Sequence, residues 1–110
     1  MPLSEKARVE VYLPDLPRAI YQDLLAALTR EFTHTFGGCT ILGELDGSYL
    51  SPAGLHIQDR ISLIYTDTPY SCEENFEIIS TYADKLKAAV FGALEEDAIL
   101  VAVMKIYHAD

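Results

Sequence analysis

Apolar and polar residues alternate from Ala7 to Leu13. Val9, Val11 and Leu13 fall on one side, and Arg8, Glu10 and Tyr12 on the other. A period of two with β-branched residues predicts a half-buried strand. Pro14-Asp15-Leu16-Pro17 ends it, with Asp15 placed to cap a helix and Pro17 suited to a first helical turn. The helix is predicted from about Leu16 or Pro17 to about Thr33 or His34. Over that span Ile20, Leu24, Leu28 and Phe32 recur at helical spacing with Leu25 beside them, making one apolar stripe. Gly37-Gly38 then supplies the left-handed stop that a helix C-terminus favours.

A second strand is predicted from Cys39 to about Tyr49, with Gly43 and Asp46-Gly47 pointing to a bulge or bend inside it. Ser51-Pro52-Ala53-Gly54 is a turn, and a third strand from Leu55 to about Thr66 closes an antiparallel hairpin. Ser71-Cys72-Glu73-Glu74 has the form of a capping box and opens a second helix. In it Phe76, Ile79, Ala83, Leu86 and Val90 repeat at steps of three and four, and it ends near Gly92 or a little later. A fourth strand runs from Ala98 to Tyr107.

Strand, helix, two strands, helix, strand is the order of a ferredoxin-like α+β sandwich. Its four-stranded antiparallel sheet carries both helices on one face. The expected strand order is 4-1-3-2, and a chain of 110 residues makes one such domain over positions 1–110. The other sheet face is expected to carry Arg8, Glu10 and Tyr12 from the first strand. From the third it is expected to carry His56, Gln58, Arg60, Ser62 and Ile64, because Leu55, Ile57, Ile61 and Leu63 form the more apolar set. The fourth strand is apolar on both sides, Ile99, Val101 and Val103 opposing Leu100, Ala102, Met104 and Ile106. Such a strand wants burial on both faces. Helices on one side of a monomer cannot provide that, so a homo-oligomer is expected, dimer or trimer, using the open face or the strand edges.

Charge narrows the partners. Eight basic residues against 17 acidic ones leave a net charge of −9. The acidity serves solubility and argues against nucleic acid and anionic membrane as partners. The first residues lack the apolar core of a signal peptide, and no apolar run approaches a membrane span, so a cytoplasmic location is expected. Cys39 and Cys72 have no metal-type spacing and are expected to be reduced rather than bridged. His34, His56 and His108 form no metal signature, so neither metal nor cofactor is expected.

The candidate chemistry is sparse. Strict alternation puts Asp59 among apolar neighbours on the helix side, where a carboxylate is costly unless paired. A bulge that turns it outward, a structural hydrogen-bonding role and a functional acid all remain open. His56, Asp59 and Arg60 are the candidate catalytic residues, and Tyr12, Tyr49, His56 and Arg60 the candidate ligand contacts. In a pocket arginine would hold an anion, histidine would move a proton and tyrosine would donate a hydrogen bond. Ordinary cross-strand pairing, such as Glu10 with Arg60 or His56, accounts for the same residues.

The segment Phe36-Gly37-Gly38-Cys39-Thr40, followed by Gly47-Ser48-Tyr49, resembles a pattern in small uncharacterised bacterial proteins. They share a phenylalanine-glycine-glycine turn, a strand, then a glycine and an aromatic residue. The similarity covers about residues 32–65 and brings no activity with it. In fold it resembles two broader groups: PII-like and CutA-like proteins, which are trimers, and dimeric α+β barrel proteins, which include cofactor-free monooxygenases. The PII pattern has a long loop where this chain has the short Ser51–Gly54 turn. Three functions follow as expectations. The first, favoured because no catalytic constellation stands out, is a ligand-binding or regulatory module with its site between subunits. The second is a cofactor-free enzyme of the barrel type. The third is a PII-like or CutA-like trimer that takes a metal or small effector.

Overall fold

The structure is a computed structural model, and it describes residues 3–15, 18–94 and 99–109. The elements are β1 (Leu3–Pro14), α1 (Ala19–Phe36), β2 (Thr40–Leu50), β3 (His56–Asp67), α2 (Phe76–Leu94) and β4 (Leu100–Ala109). They form one antiparallel sheet in the order β2-β3-β1-β4, the expected order read from the other edge. The fold is the ferredoxin-like sandwich.

The core lies between the sheet and the two helices. Val9, Val11 and Leu13 of β1 and Ile64 of β3 meet Leu28 and Phe32 of α1 and Leu86 and Val90 of α2, with Ile99 leading into β4. The predicted α1 stripe holds at Leu24, Leu25, Leu28 and Phe32. At its N-terminal end Tyr21 takes the buried place and Ile20 faces out. In α2, Ile79, Leu86 and Val90 are buried while Phe76 is exposed.

Two caps differ from expectation. Asp15 does not cap α1, whose N-cap is Arg18, with no side-chain hydrogen bond there. Instead Asp15 Oδ2 accepts the amide of Glu44, 2.9 Å away. Its side chain is spent on tying the end of β1 to β2, one strand beyond its neighbour. Ser71 Oγ does accept the amide of Glu74, but α2 proper begins only at Phe76. Gly37 ends α1 at φ 94°, and its amide donates to the Thr33 carbonyl. A side chain is strained at that angle, which explains the glycine. Thr66 Oγ1 holds the same turn by donating to the Gly38 carbonyl at 2.6 Å.

The β2–β3 hairpin projects past the end of β1. β1 pairs with β3 only as far as Pro14 opposite Ile61. Beyond it, β2 and β3 pair with each other alone, from Asp46 opposite Arg60 to Leu50 opposite His56. The register shifts between Leu42 and Leu45, so the bulge expected from Gly43 is present, although Glu44 is the residue that takes the left-handed φ of 58°. The projecting arm gives the molecule extents of 47 × 28 × 25 Å.

Phe32 is fully buried at the centre of the core. Phe32→Ala should therefore lower unfolding stability by about 3–5 kcal/mol, measured by urea denaturation, with an unchanged slope against denaturant.

Candidate functional site

Residues directly opposite each other in an antiparallel ladder share a face, so β1 decides which way β3 and β4 point. Val9, Val11 and Leu13 face the helices, and their partners Thr66, Ile64 and Ser62 must do the same. The expected face assignment of β3 is thereby reversed. Ser62, Ile64 and Arg60 belong to the helix side, while Ile61, Leu63, Tyr65 and Asp67 lie on the open face. The apolar residues of β3 suggested the opposite because they outnumber the polar ones on the side that helices do not cover.

The open face gathers a polar group that sequence alone did not assemble. Arg8 stands opposite Asp67, and its Nε and Nη2 donate to the two carboxylate oxygens at 2.6 and 3.1 Å. The guanidinium lies 4.2 Å from the centre of the Tyr65 ring. From β4, His108 Nε2 reaches Asp67 Oδ2 at 3.4 Å. A forked arginine held by a carboxylate and stacked on a ring is fixed in both position and charge. Arg8 holds the Asp67 carboxyl below its usual range, with His108 assisting, and Asp67 in turn raises Arg8. One register step away, Tyr12 Oη donates to Glu10 Oε1 at 3.2 Å. Burial, and then Glu10, push the Tyr12 phenol up.

Around this group the open face is apolar. Leu42 is 46% exposed, Leu100 54% and Met104 44%, while Leu63 and Glu10 are each down to 9%. Among the described residues no three His, Cys, Asp or Glu side chains are grouped as a metal site.

Of the expected ligand contacts, Tyr12 is on the open face. The register pairs Tyr49 with Ile57 in the arm, and pairs His56, which is exposed, with Leu50 at the arm's far end. Arg60, on the helix side, is opposite Asp46. Asp59 shares the parity of Ile61, away from the helices, and is half-buried, its Oδ1 accepting the Arg60 amide at 2.8 Å. Thus Tyr12, His56 and Arg60 do not converge on one face. Their separation follows from the reversed parity of β3 and from the length of the arm.

Neither cysteine is bridged. Cys72 lies in the turn ahead of α2, where its amide donates to Glu5 Oε1 at 3.0 Å. Burial, and then the Glu5 carboxylate, push its thiol up, the reverse of an activated thiolate at a helix start.

No protein-family profile and no curated protein matches the chain. Among solved structures it is similar to CPII, a nitrogen regulatory PII-like protein from Thiomonas intermedia K12, determined bound to ADP, AMP and bicarbonate. The two share 17% sequence identity at a TM-score of 0.57, covering 99% of this chain and 100% of that one. The likeness is one of fold: a PII-like ferredoxin-like sandwich. No helix among the described residues is long and apolar enough to cross a membrane.

The Arg8–Asp67 pair should be visible in acid. Asp67 titrates lower in the folded chain than unfolded, so the unfolded chain takes up its proton first as pH falls. The stabilisation is complete above the ordinary aspartate value of about 4 and is lost below it. Asp67→Asn should lower the denaturation midpoint at neutral pH and flatten its dependence below about pH 4. Equal slopes for the two proteins would mean the pair contributes nothing.

Proposed function

We propose that the chain is a small homo-oligomeric ligand-binding module of the regulatory kind, with its site where subunits meet. The observation that carries this reading is the open sheet face, where large apolar side chains stand exposed around an ordered polar group. A second copy would remove Leu42, Leu100 and Met104 from water, at about 25 cal/mol for each Å² covered. It would also bring new groups against Arg8, Asp67 and His108. The end-to-end likeness in fold to a nucleotide-bound PII-like protein supports a trimer and makes adenine nucleotides the first ligands to try.

The reading as a barrel-type enzyme needs His56, Arg60 and a tyrosine inside one enclosed pocket. The exposed position of His56 on the arm leaves that reading without its constellation.

Light scattering on a sizing column should give a trimer's mass, and Met104→Glu should return the chain to monomers with its circular dichroism unchanged. Calorimetric titration of the wild type with ADP and AMP, with and without bicarbonate, should give saturable heats that Met104→Glu loses. A wild-type monomer at all concentrations would defeat the proposal. A dimer would replace the trimer with two sheets packed face to face.

A further inference from the structure

On the helix side of the sheet, at the end of β1, lies a recess of about 330 Å³. Asp15, Tyr21, Gln22, Glu44, Arg60 and Ser62 supply its polar lining. It faces away from the open sheet face and belongs to a single chain.

Three observations mark it as built for a ligand. First, Ser62 and Tyr21 are each only 7% exposed, and neither hydroxyl has a hydrogen-bond partner among the described residues. Glu5 Oε2 is the buried side-chain atom left without a partner among the described residues, so both of these hydroxyls still reach solvent at the recess and are free to bond a ligand there.

Second, Arg60 makes no ion pair among the described residues, although Arg8 and Lys105 both do. Arg18 and Arg30 make none either, but Arg60 differs in sharing its recess with two acidic residues, Asp15 and Glu44. Charges of both signs therefore face one space without closing on each other.

Third, the frame is rigid. The Asp15 amide donates to the Arg60 carbonyl at 2.8 Å, and Asp15 Oδ2 accepts the Glu44 amide. Glu44 is held in a left-handed conformation that a non-glycine residue avoids. The end of β1, the bulge of β2 and the start of β3 are locked together around the cavity.

We propose that this recess binds a free amino acid as its zwitterion. The guanidinium of Arg60 takes the α-carboxylate in a forked pair, the geometry in which arginine discriminates best. The ammonium group lies toward the carboxylates of Asp15 and Glu44, and the hydroxyls of Ser62 and Tyr21 complete the hydrogen bonds. A simple anion would meet two carboxylates and a simple cation would meet Arg60, so each is disfavoured where the zwitterion is not.

The test is a titration of the full-length ¹⁵N-labelled chain with each of the twenty common amino acids, followed by amide chemical shifts. At least one should move the amides of Asp15, Glu44, Arg60 and Ser62 saturably. Its N-acetyl derivative and the corresponding amine without the carboxylate should each bind about tenfold more weakly or worse, the loss of one charge-assisted contact. Arg60→Gln should weaken binding by a similar factor and Ser62→Ala by less. Arg30→Gln, on the exposed side of α1, should leave it unchanged. The proposal is overturned if no amino acid moves those amides, if the N-acetyl form binds equally well, or if Arg60→Gln binds as tightly as wild type. Nothing here depends on the oligomer, so Met104→Glu should retain the binding if both proposals hold.

Discussion

Strand β1 is the constraint on which the rest of the structure depends. It is central, paired with β3 on one side and β4 on the other. Its helix-facing row, Ala7, Val9, Val11 and Leu13, is almost wholly buried. A slip of one residue in either ladder would exchange the two faces of the neighbouring strand. Because Val9 and Val11 must stay under Phe32 and Val90, the directions of Ser62, Ile64 and Thr66, and of Val101 and Val103, are all decided by this one strand. The intervening row, Arg8, Glu10 and Tyr12, then has no choice but to organise the opposite face.

That hierarchy explains what could be read from the sequence. The six elements, their order and the Gly37 stop were legible because each rests on local signals: period, capping residues and turn chemistry. The direction of β3 was not. Its residues are apolar at Ile57, Ile61 and Leu63 in one parity and at Ile64 in the other, so composition favours one parity while the register with β1 requires the other. Two of the residues turned to the helices are Ser62 and Thr66. Thr66 is accommodated by donating to the Gly38 carbonyl, a contact between positions far apart in the chain that no local pattern announces.

The polar groups show the same division. Arg8, Tyr12 and Arg60 were visible as residues, but their partners were not. Asp67 lies just past the strand predicted to end near Thr66, and only the ladder with β1 sets it opposite Arg8. Asp15 reads as a helix cap until the bulge brings Glu44 within reach. Two-sided apolarity in β4 needs only alternation along one strand, and Leu100 and Met104 of its outer row stand exposed. The grouping of His56 with Arg60 and Tyr12 failed for lack of two facts, the parity of β3 and the point at which β1 stops supporting the hairpin.

The arm beyond Ile61 is a two-stranded ribbon, and such ribbons are marginally stable without a third strand. Its backbone amides should therefore exchange with solvent through local opening, well before those of β1. The register shift between Leu42 and Leu45 lies at its root, beside Asp15, where the recess and the sheet join. In energetic terms the molecule is a stiff body with one soft appendage. Whatever holds Glu44 and Arg60 in place also decides how often that appendage is open, which makes the arm's flexibility a readout of events at its base.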